Sequence, residues 1–107
     1  MADVYDDLAR CDGFDWDDGN APKLWARHRV SPGEAEQVFF RDPLVVVADT
    51  KHSTSEARYY VLGRTAGERR LFLVFTLRGS LIRVLSARDM NRRERRVYER
   101  AEEASDE

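Results

Sequence analysis

The stretch RYYVLGRTAGERRLFLVFTLRGSLIRVLS, residues 58–86, decides the fold. Its apolar, β-branched and aromatic runs read as strands at 58–62, closed by Gly63, then at 71–77 and 81–86. Thr65-Ala66-Gly67-Glu68 reads as a hairpin connection and Arg78-Gly79-Ser80 as a second turn. Turns this tight join antiparallel neighbours. Side chains alternate along a strand, so Arg83 points away from the face of Ile82 and Val84. Just upstream, residues 44–48 form a continuous apolar run that reads as a buried strand, followed by a polar loop at 49–55.

Moving toward the N-terminus, Ser31-Pro32-Gly33-Glu34 carries a helix start: Ser at the cap, Pro at the first helical position, Glu at the third. Ala35, Val38 and Phe39 supply its buried stripe, and Asp42-Pro43 ends it. Ala21, Leu24, Trp25 and His28 share one face of an earlier helix, with Trp25 and Trp16 read as core anchors and His28 as a packed histidine. Phe14-Asp15-Trp16 suits a very short strand, and residues 1–13, rich in Asp, read as a mobile tail. Beyond the strands, Asn91 and Glu94 repeat the capping spacing and open a helix whose thin apolar face is Val97, Tyr98 and Ala101. The expected order is short strand, two helices, a four-stranded antiparallel meander and a C-terminal helix. This is an α+β domain over residues 14–100, between acidic tails at 1–13 and 101–107. The early helices cover one sheet face and leave the other for a partner.

Charge is unevenly spread. Residues 1–20 hold seven Asp against one Arg, and 101–107 hold four acids. The segment between them holds 17 Lys/Arg against nine Asp/Glu, so a formal net charge of -2 conceals a basic body. Such a body suits a polyanion, and guanidinium forks suit phosphate. No apolar run approaches the roughly 18 residues of a membrane span. No secretory leader is recognised. Lone Cys11 fits a reducing compartment, and one Cys with two distant His is a poor zinc set.

Three clusters offer chemistry. His52-Ser53-Thr54-Ser55-Glu56-Ala57-Arg58 places an imidazole, a carboxylate and a guanidinium within one loop, able to act as base, acid and anion clamp. The alternative is a solvated loop whose hydroxyls satisfy local backbone. Arg58, Arg64, Arg83 and Arg88 alternate along strands and suit phosphate; the alternative is an ordinary exposed face. Arg92, Arg96 and Arg100 form a stripe able to track a nucleic-acid backbone, or else a solvated face with Arg95–Glu99 pairing.

Taken in order, Phe14-Asp15-Trp16-Asp17, Trp25-x-Arg27-His28-x-Val30-Ser31, Glu34-Ala35, Asp42-Pro43-Leu44, Asp49-x-x-His52-Ser53-x-x-Glu56-x-Arg58-Tyr59, Leu62-Gly63-Arg64-Thr65, Phe75-Thr76-x-Arg78-Gly79, Ile82-Arg83-Val84-x-Ser86-Ala87-Arg88 and Glu94-Arg95-x-x-Tyr98-Glu99 resemble the BrnT family of toxins from bacterial type II toxin–antitoxin pairs. The resemblance implies a RelE-like fold and a cytoplasmic ribonuclease that arrests translation. It also implies neutralisation by a BrnA-like ribbon-helix-helix antitoxin, and operator DNA binding only as the toxin–antitoxin complex. On this reading the reaction is metal-independent and needs no cofactor. The expected catalytic set is His52, Glu56, Arg64, Arg83 and Arg88, with Arg58, Arg78, Arg92, Arg96 and Tyr98 binding RNA. The competing expectation is a non-catalytic nucleic-acid- or antitoxin-binding module serving operon autoregulation. Where the family usually has Gly, this chain has Arg29; a positive φ there costs Arg about 1 kcal/mol more than Gly. The acidic ends are read as tethered competitors for Arg83 and Arg88.

Overall fold

A computed structural model describes residues 3–52 and 55–105. Ser53 and Thr54 of the polar loop, and Asp106 and Glu107 of the acidic end, lie outside the described residues. The strands are β1 (Gly13–Phe14), β2 (Val45–Ala48), β3 (Arg58–Arg64), β4 (Arg70–Arg78) and β5 (Leu81–Asp89); the helices are α1 (Val4–Ala9), α2 (Ala21–His28), α3 (Pro32–Val38) and α4 (Arg92–Ser105). The fold is α+β. β2 to β5 form the expected antiparallel meander. β1 joins β5 in parallel, Gly13 opposite Leu81, which makes a five-stranded mixed sheet ordered β1-β5-β4-β3-β2.

α2 and α3 cover one face. Leu24, Ala35 and Val38 pack on Val61, Leu71, Leu73, Phe75, Ile82 and Val84. The cap is as expected: Glu34 N–H donates to Ser31 Oγ at 3.1 Å while Ser31 N–H donates to Glu34 Oε1. β3 runs through Gly63 instead of stopping there. A Cβ on Gly63 would overlap Val38 Cγ1, so this glycine marks the close crossing of α3 over the sheet. Arg29 caps α2 in the left-handed region, φ 55°. Arg69 donates to the carbonyls of His28 and Arg29, taking up acceptors that the helix end leaves free.

Several expectations give way. Part of the Asp-rich segment is a helix and not a mobile tail. Val4, Leu8 and Cys11, spaced i, i+4, i+7, pack against the core. Asp3 and Asp6 cap each other reciprocally at the N-terminus of α1. Tyr5 accepts from Val46 N–H and donates to the Leu44 carbonyl. Cys11 is half-buried there, and burial, then Asp12 and Asp7, push its thiol pKa up. β2 is an edge strand, not a buried one, and leaves Val47 55% exposed. A continuous apolar run has the same pattern in either place. α2 buries only Leu24; His28 is exposed and Trp25 is 51% exposed beneath the Arg29 guanidinium. Trp16 is half-buried and donates to Glu36.

The thin face of α4 docks through one residue. Tyr98 is fully buried with Leu62 and Met90, and donates to the Pro43 carbonyl at 2.7 Å. α4 thus covers one end of the second sheet face and leaves the other end open.

Candidate active site

Register defines the second face. Opposite Arg58 stand Thr76 and then Arg83; opposite Tyr60 stand Val74 and then Ser86; opposite Leu62 stand Phe72 and then Arg88. A bulge keeps this parity. β5 spends two residues, Val84 and Leu85, against Phe75, so Arg83, Ser86 and Arg88 all face the same way. Without the bulge, strict alternation would send Arg83 and Arg88 to opposite faces. Leu62 and Phe72 lie under α4, whereas Arg58 and Ser86 are exposed.

At the open end, a single 3₁₀ turn, Thr50–His52, carries His52. Asp49 opens the loop, with its N–H on the Arg58 carbonyl at 2.8 Å. Its carboxylate is 5% exposed and accepts from His52 N–H at 3.3 Å and from His52 Nδ1 at 2.9 Å. Burial works to raise the Asp49 pKa, but hydrogen bonds from the Tyr60 hydroxyl and from His52 outweigh it and hold the carboxyl below its usual range. Tyr60 is raised by burial and by Asp49. An ionised carboxylate only accepts, so Nδ1 carries the proton and neutral His52 keeps Nε2 as its basic nitrogen. The His52 side chain is more than half exposed, so that nitrogen is within reach of a ligand.

A chain of ion pairs runs from this loop across the strand ends. Arg78 donates to Glu56 at 3.3 Å and approaches Asp15 at 4.0 Å. Arg83 grips Asp17 through both terminal guanidinium nitrogens, at 2.9 and 3.0 Å, and lies 3.4 Å from Asp15. Its side chain is only 9% exposed. Hydrogen bonds from Arg83, then from Gly19 N–H, hold Asp17 below its usual range. Buried Asn20 completes the corner by donating to the Asp15 and Val84 carbonyls. Among the described residues the competitors for Arg83 are thus Asp15 and Asp17, next to β1.

The expected site residues divide. His52, Glu56, Arg58, Arg78 and Arg83 gather at the open end. Arg88 stands two rows away, over the Phe72 ring at 4.2 Å, and pairs with Glu94 at 2.7 Å. Burial works to raise Glu94; Arg88 and the Asn91 N–H bring it down. Arg64 is not brought to the others. It lies about 20 Å along β3 from Arg58, where it binds Glu102, Glu68 and the Asp42 carbonyl. Arg92 and Arg96 are exposed on α4. Tyr98 presents no ring to solvent, because its hydroxyl and ring are spent on docking α4.

Sequence reading gave no role at the site to Asp49, Tyr60, Asp15 or Asp17, and gave Glu94 only the cap of the last helix. A signal existed for Asp49 alone: it is the first polar residue after a continuous apolar run. Among the described residues no three His, Cys, Asp or Glu side chains assemble as a metal ligand set, and no helix is long and apolar enough to cross a membrane. Residues 16–94 match the family model for the ribonuclease toxin BrnT of type II toxin–antitoxin systems. No curated protein matches the chain.

Proposed function

We propose, because the chain belongs to the BrnT family of ribonuclease toxins of type II toxin–antitoxin systems, that it is a metal-independent endoribonuclease that arrests translation in the cytoplasm. A BrnA-like ribbon-helix-helix antitoxin neutralises it, and operator DNA is bound only by the pair. The sheet with its helices is read as a RelE-like layout. The observation that carries the catalytic reading is the His52–Asp49 pair at the open end of an arginine-bearing face.

The ribose 2′-hydroxyl attacks the adjacent phosphorus and loses its proton to His52 Nε2; the 2′-O–P bond forms as the P–O5′ bond breaks, and the departing 5′-oxygen takes up a proton from water. Asp49 fixes the His52 tautomer and stabilises the imidazolium that forms. Glu56, beside Arg78, is the second candidate for proton transfer. Arg58, Arg88, Arg92 and Arg96 supply the phosphate track, where positive charge meets the pentavalent oxyanion. Arg78 and Arg83 join it, and these two and Arg88 exchange Glu56, Asp17 and Glu94 for phosphate oxygens. Arg64 supports this from a distance, by tying α4 to the sheet through Glu102.

A second reading, a non-catalytic module serving operon control, is favoured by one observation: Arg78, Arg83 and Arg88 are already neutralised by Glu56, Asp17 and Glu94. Purified protein incubated with RNA in EDTA separates the two. Catalysis gives cut RNA from wild type and at least about a hundredfold less from His52→Gln. Undiminished cutting by that variant removes His52 from the mechanism. Absence of product with salt-dependent RNA binding supports the module.

A further inference from the structure

Away from the arginine face, α1, β1 and α3 enclose a groove of about 430 Å³ that no part of the catalytic reading uses. Leu8, Phe14, Phe39, Leu44 and Ile82 line it, and Phe40 stands at its mouth, 79% exposed. The aromatic rings brace one another. Phe14 meets Phe39 and Phe40 edge-on at 5.6 and 6.2 Å, and Phe39 meets the buried Phe75 at 5.2 Å. The floor is therefore anchored in the core and is formed before anything binds. Leaving a phenylalanine so exposed beside an apolar hollow marks an interaction surface.

The rim gives the sign of the partner. Among the described residues Asp12 and Glu36 line the groove and no Lys or Arg does, and the first turn of α1 beside it carries Asp6 and Asp7. An acidic rim repels nucleic acid and attracts cationic protein. A volume of this size takes one or two long side chains, not a domain.

We propose that this groove docks a basic amphipathic segment of the antitoxin: one or two Leu-, Met- or Phe-like side chains seated among the phenylalanines, flanked by Lys or Arg against Asp12, Glu36 and α1. That the partner is an antitoxin rests on the toxin reading; the chemistry of the segment rests on the groove. The position has a consequence for regulation. β1 leads from the groove floor at Phe14 directly into Asp15 and Asp17, which hold Arg83.

The test uses the full chain, the antitoxin expressed from the same operon, and Phe40→Glu. Phe40 lies outside the RNA face and is mostly solvated, so the variant folds, with a melting temperature near that of wild type, and cuts RNA as wild type does. Its affinity for the antitoxin falls at least about tenfold, as for a central aromatic anchor, and co-expression no longer rescues growth. Asp12→Lys weakens binding in low salt and flattens its salt dependence. Antitoxin binding and rescue by Phe40→Glu equal to wild type overturn the proposal. A wild-type dimer that Phe40→Glu dissolves, with antitoxin affinity unchanged, assigns the groove to a second copy and overturns it as well. Wild type that causes no growth arrest refutes the toxin reading instead, while loss of antitoxin binding by Phe40→Glu still reads the groove.

Discussion

Changing Tyr98 to Phe deletes one hydrogen bond, from a buried hydroxyl to the Pro43 carbonyl, and leaves the ring that docks α4. At neutral pH the loss is about 1 kcal/mol, the net value of such a bond, or roughly 4–8 °C in melting temperature for a small domain. Alkali changes the balance. Burial pushes the Tyr98 phenol up to about 12, against about 10 in an unfolded chain. A folded pKa above the unfolded one means that the native state keeps a proton the unfolded state gives up. The stabilisation linked to that proton is fully present below pH about 10 and is lost as pH rises through the folded value. Each pH unit in that window removes roughly 1.4 kcal/mol from wild type and nothing from Tyr98→Phe. Wild type therefore leads by about 1 kcal/mol at pH 7, and the two converge near pH 11. Urea titrations of both proteins, followed by Trp16 and Trp25 fluorescence, measure the gap at each pH. A gap that stays constant from pH 7 to 11 refutes the argument, because the hydroxyl would then be solvated in the folded state. Tyr98→Ala extends the series: losing the ring costs about 3–5 kcal/mol, and where the protein still folds, α4 and its arginines come away from the sheet.

Other substitutions probe the corners of the molecule. Arg29→Gly places a residue without Cβ at φ 55° and stabilises the chain by about 1 kcal/mol, measured as a higher urea midpoint with an unchanged slope. Asp49→Asn removes the charge beside His52 and puts an amide donor where the carboxylate only accepted, so the His52 tautomer is no longer fixed and kcat falls at least about tenfold with little change in KM. It also alters acid stability. The Asp49 carboxyl is depressed, so its stabilisation is present above the unfolded value of about 4 and is lost as pH falls through the folded one; the variant's stability is correspondingly flatter below pH 4. Asp17→Asn loosens the clamp on Arg83, which lowers the melting temperature and, where Arg83 takes phosphate, tightens RNA binding at low salt; weaker RNA binding would show that Arg83 serves only the loop.

What was legible in the sequence lies within short reach along the chain. The Ser31–Glu34 and Asn91–Glu94 caps, the turns at 65–68 and 78–80, and the alternation of β4 and β5 each depend on residues a few positions apart, where spacing maps onto geometry. The His52–Glu56–Arg58 cluster was legible for the same reason: one loop at the start of β3 carries it. Even α1 was written locally, in Val4, Leu8 and Cys11, but its aspartates masked the stripe.

The sequence by itself determined an α+β chain with an antiparallel meander and a basic middle. Tertiary structure alone decided what those charges meet. Asp17 clamps Arg83 across 66 positions of chain, Tyr98 finds Pro43 across 55, and Asn20 reaches Val84 across 64. No periodicity encodes such pairs: a two-residue parallel strand and a bulge bring the first and third together, and the docking of α4 brings the second. The same arginine pattern fits a bare phosphate face or a set of internal ion pairs. Only the positions of Asp15, Asp17, Glu56 and Glu94 in space show that this chain builds the second and holds His52, on a buried aspartate, at its open end.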